Sequence, residues 1–247
     1  MKIVFLGTNG WYTTATGNTP CILVDAKDYY VVFDGGNGIY KLDQYISELK
    51  PIYLFISHFH IDHVSGLHTL NKFTFSQGIN ICMASGRRKD FETLVNPPYT
   101  VPIEKLKTKI TLHELEENNN SLPFPVSAIE LFHTYKGHGY RVELEGKTIA
   151  YSGDAGISEN SSKLSQNVDL LIHECSYKSD HDTDTWGHVG PIEAATLAKD
   201  SGVKKLILNH FDASKYTTLE MRKGAEKEAQ AIFPNTTCAI EDMVIEL

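Results

Sequence analysis

Short apolar, β-branched runs recur along the chain, separated by longer stretches with helical spacing. The runs cover residues 3–6, 21–24, 29–33, 52–56 and 79–83 in the first half. In the second half they cover 128–132, 148–151, 170–172, 206–208 and 243–247. Several lack polar alternation, which predicts central strands buried on both faces. Residues 38–49, 86–95, 191–201 and 219–232 carry the spacing of helices. Pro191 suits the first turn of its helix, and Gly202 suits the position just past its end. This alternation predicts α/β layering, with helices covering sheet faces. Residues 118–125 (NNNSLPFP) divide the chain nearly in half. No internal repeat accompanies the division, so the segment reads as a surface loop within one domain spanning 1–247.

Composition narrows the class. The chain has 247 residues, of which 41% are hydrophobic and 22% charged. These proportions exclude wholesale disorder and allow a sizeable core without disulfide support. The longest apolar runs, about five residues, fall far short of the ~18 needed to span a bilayer. The run at 3–6 is too short for a secretory leader. A cytoplasmic protein is therefore expected, with no membrane partner. The net charge of −8 argues against gripping nucleic acid along an extended basic face, but leaves room for a local phosphate site. Cys21, Cys82, Cys175 and Cys238 form no C-x-x-C pair and read as buried thiols.

The chemistry sits where strands end. Residues 52–57 lead into His58, His60, Asp62 and His63; 129–132 lead into His133; 149–153 lead into Asp154. The runs at 170–172 and 206–209 lead into His173 with Glu174 and into His210. Ligands of α/β sheets collect at the carboxyl ends of strands. Gathering imidazoles and carboxylates there is costly unless a cation compensates. His58 and His60 are two apart and point to one side of an extended strand end. Asp62 and His63 sit where the chain turns, within reach of a second point. A pair of ions satisfies this better than one, and two-metal hydrolases space their ions ~3.5–4 Å apart.

The motif HFHIDHVSG, with His133, YSGD ending at Asp154, and LILNHF with His210, resembles the metallo-β-lactamase fold superfamily. That resemblance covers nearly the whole chain and implies a four-layer αββα sandwich with a dinuclear site at one edge. It implies His58, His60 and His133 on one metal, Asp62, His63 and His210 on the other, and Asp154 bridging. Two Zn²⁺ are the first expectation; Mn²⁺ or Fe also suit such ligands. Two Zn²⁺ bring +4, and Asp62, Asp154 and a bridging hydroxide subtract three, which leaves positive charge for an anionic substrate.

GTNG, GNTPCILV, FDGGNGIYKL, GYRVEL, LLIHECSY and GHVGPIEAATLAKDSGVKKLILNHF resemble ribonuclease Z and its phosphodiesterase relatives. By that resemblance Glu174 and His188 assist the scissile phosphate, as a carboxylate-held imidazole can protonate a leaving alkoxide. Asp62 both binds metal and holds the hydroxide proton. The chain departs from ribonuclease Z between His133 and Asp154. Only 21 positions separate them, filled by a compact hairpin where that family carries a long tRNA-gripping arm. The expectation is therefore a phosphodiesterase for a small or short-oligonucleotide substrate, with stable tRNA binding put in doubt. Alternatives are hydrolysis of a lactone, β-lactam or sulfate ester, tRNA 3′ processing, and a metal-binding or redox module without hydrolysis. A homodimer is what the resemblance implies.

Further residues carry weaker expectations. His138 competes with His133, and His173 reads as a neighbour that orients a ligand or packs against the sheet. His68 and His113 read as ordinary surface or core histidines, and Arg87, Arg88 and Lys89 as a solvated helix start. His181, in the acidic stretch 180–184, is placed in a loop near the entrance. Asp34, before Gly35 and Gly36, either orients a ligand imidazole or makes an Asp-Gly turn. Trp11, Tyr12 and Thr13 either wall the pocket, where a ring could stack on a base or an aryl leaving group, or simply pack.

Overall fold

The apolar runs form two sheets. The computed structural model describes residues 1–117, 121–181 and 186–247, so part of the 118–125 linker and most of the 180–184 stretch lie outside the described residues. The first-half strands are β1 (Lys2–Gly7), β2 (Asn9–Gly10), β3 (Cys21–Asp25), β4 (Tyr30–Phe33), β5 (Ile52–Ile56), β6 (Ile79–Ala84) and β7 (Ile110–Leu115). The second half holds β8 (Val126–Leu131), β9 (Gly137–Leu144), β10 (Lys147–Tyr151), β11 (Leu170–Glu174), β12 (Leu206–Asn209), β13 (Phe211–Asp212), β14 (Thr236–Cys238) and β15 (Met243–Glu246). Five α-helices are described: α1 (Ile61–Val64), α2 (Arg88–Leu94), α3 (Glu159–Ser165), α4 (Pro191–Asp200) and α5 (Leu219–Gln230).

One sheet runs β15-β1-β3-β4-β5-β6-β7 and the other β14-β12-β11-β10-β9-β8. In the first, β4 through β7 pair in parallel. In the second, β10, β11, β12 and β14 do. The last strand crosses back to edge the first sheet beside β1. Three apolar layers hold the stack. Phe33, Phe55, Tyr140 and Tyr151 belong to the core between the sheets. Ile39, Leu67 and Phe91 belong to the layer under the outer helices of the first half. Leu164, Ala195 and Ala225 belong to the layer under α3, α4 and α5. The architecture is the expected four-layer αββα sandwich.

Four local features differ from expectation. Residues 38–49 form a 3₁₀ segment, Asn37–Gln44, rather than a regular α-helix. The backbone there is pressed against its neighbours: a Cβ on Gly38 would lie 2.4 Å from the Leu6 carbonyl oxygen. Strands β7 and β14 and helix α3 were not expected. β7 (ITLHEL) is mostly half-exposed, β14 has three residues, and α3 is polar apart from Leu164. The 137–151 segment is the expected hairpin, with β9 antiparallel to β10. No helix among the described residues is long and apolar enough to cross a membrane.

Candidate metal centre

Every candidate ligand follows the carboxyl end of a strand. β5 leads into His58, His60, Asp62 and His63, the last two on α1; β8 leads into His133, β10 into Asp154 and β12 into His210. Because central parallel strands cannot bury unpaired charge along their length, the polar side chains gather where the sheet stops.

The seven residues meet as two groups. One holds His58, His60, His133 and Asp154, the other Asp62, His63 and His210, and within each group the potential ligand atoms lie within 4.8 Å of one another. Asp154 lies between them. Its Oδ2 is 3.7 Å from His58 Nε2 and 4.0 Å from His133 Nε2, while its Oδ1 is 3.2 Å from His63 Nε2 and 3.1 Å from His210 Nε2. His210 Nε2 also stands 3.1 Å from Asp62 Oδ2. His138 belongs to neither group: it lies on β9 and lines a separate cavity. His173 belongs to neither group; it is buried, its Nδ1 2.9 Å from the Glu174 carbonyl oxygen.

The candidate ligand imidazoles are gripped from behind. His63 Nδ1 is 2.7 Å from Asp34 Oδ2, His58 Nδ1 3.1 Å from Ser57 Oγ and His210 Nδ1 2.9 Å from Ser176 Oγ. Asp34 also accepts from Tyr151 Oη at 2.6 Å, Ser57 Oγ at 2.8 Å and the Ser57 amide at 2.7 Å. It thus orients an imidazole rather than merely turning the chain. Ser57, Ser176 and Tyr151 were not singled out in the sequence, because serine and tyrosine carry no ligand spacing.

Three residues at the centre hold left-handed backbone. Trp11, Asp34 and His210 have φ of 77°, 59° and 52°, a region that costs non-glycine residues about 1–3 kcal/mol each. Gly10 lets the chain pass His210: a Cβ there would lie 2.4 Å from the imidazole Cε1.

The electrostatics suit a divalent cation. Burial holds His58, His60 and His133 below the ordinary imidazole pKa, which keeps them neutral, the metal-binding form. Burial also opposes charge on His63 and His210, but neighbouring carboxylates, Asp154 foremost, outweigh it and raise both. Asp62 and Asp154 are pushed down, their imidazole neighbours outweighing burial. Two buried carboxylates therefore require positive charge beside them, which protons or metal can supply. His58 Nε2 and Asp154 Oδ1 are buried without an aligned hydrogen-bond partner among the described residues. A cation in the first group would satisfy His58 Nε2 and one in the second would satisfy Asp154 Oδ1, so the donor set fits divalent metal.

A second unit borders the groups. Buried Glu174 accepts at Oε1 from the Val189 amide and faces His188 Nδ1, both at 3.0 Å, and at Oε2 from the Ser176 amide at 2.7 Å. The His188 ring lies 5.0 Å from that of His133 and 6.2 Å from that of His210. His60, Asp62, His133, Asp154 and His210 line, with His188, one cavity of about 710 Å³, walled by Trp11, Ile61, Tyr177 and Trp186.

Comparison with known proteins gives a consistent picture. The family described as the β-lactamase superfamily domain matches residues 29–211. A probable metallo-hydrolase of Bacillus subtilis, YhfI, is 24% identical over 94% of both chains. Its crystal structure superposes with a TM-score of 0.83, covering 100% of this chain and 98% of that one. Ribonuclease Z of Bacillus velezensis is 25% identical over 99% of this chain and 98% of its own. The structure of the short form of human tRNase Z is 26% identical, with a TM-score of 0.77, covering 100% and 99%.

Proposed function

The chain belongs to the β-lactamase superfamily, and within it we propose a metal-dependent phosphodiesterase of the ribonuclease Z-like type, acting on a small or short diester. We take the resident ions to be two zinc ions, held by His58, His60 and His133, by Asp62, His63 and His210, and by Asp154 between them. When bound, they would polarise the phosphoryl oxygen and supply hydroxide near neutral pH.

The observation that carries the reading is the Glu174–His188 pair beside His133 and His210. Hydrolysis of a diester forms a bond from water oxygen to phosphorus and breaks the bond to one ester oxygen, which leaves with a proton. Glu174 engages His188 Nδ1, which leaves Nε2 as the ring atom that delivers that proton. Asp62, kept ionised beside His63 and His210, is placed to accept a hydrogen bond from the attacking water. Its Oδ2 is itself fixed by the Trp11 amide at 2.7 Å. A substrate smaller than tRNA follows from the short β9–β10 hairpin and the net charge of −8.

The test is metal analysis with a substrate panel. Purified protein is expected to carry two equivalents of zinc and to turn over bis(p-nitrophenyl) phosphate faster than lactones, β-lactams or sulfate esters. A strong lactonase with no diesterase activity overturns the reading.

A further inference from the structure

Hydrolysis alone does not account for the apolar wall on the Asp62 side of the cavity. Trp11 and Ile61 line it and are 66% and 68% exposed. Trp11 holds a left-handed backbone, φ 77°, and its amide donates to Asp62 Oδ2 at 2.7 Å. Glycine would make the same amide bond in the same conformation without strain. The indole therefore needs a reason of its own. Water is a poor partner for its faces, and a flat ring bound in the cavity is a good one.

The site also has a direction. His188, which protonates the departing oxygen in the reading above, sits with Tyr177, its ring 5.4 Å away, and Trp186 two residues before it. Trp11 and Ile61 instead flank Asp62. With the departing alcohol at His188, the Trp11 indole is left for the ester that stays on phosphorus.

We propose that the Trp11 indole, with Ile61 beside it, is the wall on which a planar aromatic ring of the retained ester stacks. The substrate is then a phosphodiester whose retained alcohol carries an aryl group or a nucleobase. This rests on the phosphodiesterase reading.

The test keeps the leaving group constant. Methyl, phenyl and thymidine 5′ esters of p-nitrophenyl phosphate all release p-nitrophenol and differ only in the retained alcohol. The metal-loaded protein is expected to show a higher kcat/KM for the phenyl ester, the thymidine ester or both than for the methyl ester. Which of the two it favours separates an aryl source from a nucleobase. Trp11→Gly keeps the backbone conformation and deletes the ring, and should lower that preference about tenfold. Trp11→Phe should keep most of it. As a readout independent of turnover, Trp186→Phe leaves Trp11 as the one indole of the original two. Its fluorescence should be quenched by adenosine 5′-monophosphate and not by ribose 5-phosphate. A preference that Trp11→Gly does not move, or equal quenching by both phosphates, overturns the wall. So does a Trp11→Gly protein whose subunit number changes while the preference stays, because the indole would then be an interface residue. If the wild-type protein turns over none of the diesters, the phosphodiesterase reading falls instead.

Discussion

An imidazole offers one nitrogen to a metal and one to the protein, and which is which depends on the partner behind the ring. Here Ser57, Asp34 and Ser176 hold the Nδ1 atoms of His58, His63 and His210. Partners of this kind typically govern metal affinity by 10–100-fold. Asp34→Ala should accordingly weaken metal binding by about that factor, read by competition with a chelator. It should also lower stability by about 3 kcal/mol or more, because Ser57, His63 and Tyr151 lose a buried partner together. His188→Ala should retain full metal content and lose about 10²–10⁴ in kcat; unchanged kcat would remove the residue from the chemistry. The gathering of candidate ligands was legible because H-x-H-x-D-H packs four donors into six residues. Of their supports only Asp34 was legible, as one of two readings; Ser57, Ser176 and Tyr151 were not, since each is an ordinary residue brought in by folding.

Between residues and the whole, the loops carrying Trp11 and His210 depend on α5. Arg222 on that helix is buried, with its guanidinium 4.7 Å over the Phe211 ring and donating to Thr8 Oγ1 at 2.8 Å and to Asn9. Burial lowers its pKa to about 10, so it stays charged at neutral pH. Arg222→Ala should cost about 3–5 kcal/mol, measured by urea unfolding, and a near-neutral result would show that the loops stand without it. Farther from the centre, Asp169 accepts from Lys204 Nζ at 2.8 Å and from the Thr148 amide at 2.9 Å, and the Lys204 bond foremost lowers its pKa. Its folded pKa lies below the unfolded value of ~3.9, so its contribution is complete above that pH. It fades as pH falls through the lower folded value. Asp169→Asn should therefore lose about 1 kcal/mol at pH 7, and the gap to wild type should close in strong acid. The long buried strands were legible as unbroken apolar runs. β7 and β14 were not, because a half-exposed edge strand and a three-residue strand leave too little pattern. The 38–49 spacing marked a buried face correctly but did not distinguish a 3₁₀ segment from a regular helix.

Across the whole molecule, the candidate ligands come from both sheets, with β5 and α1 on one side and β8, β10 and β12 on the other. Bound metal would then clamp the halves and stabilise the folded state by about 2.7 kcal/mol at a free concentration 100 times its Kd. Removing it with a chelator should lower Tm, and re-addition should restore it. The four thiols report the same state: burial raises all their pKa values. A thiol reagent should reach them only after unfolding, and rapid labelling of the native protein would contradict that. The layering and the ligand edge were visible in the chain. The pairing of the two sheets came from the family resemblance and not from the residue pattern, because it is set by side chains far apart in sequence.

One contact ties these levels together. Tyr151 of the second sheet stacks on Phe33 of the first, ring centroids 5.1 Å apart, and its hydroxyl ends on Asp34, which aims His63. The centre thus works as a gauge of how the two slabs are seated: a slip of either would be transmitted through one phenol to the angle of a single imidazole, and packing errors deep inside would surface first as misplaced metal.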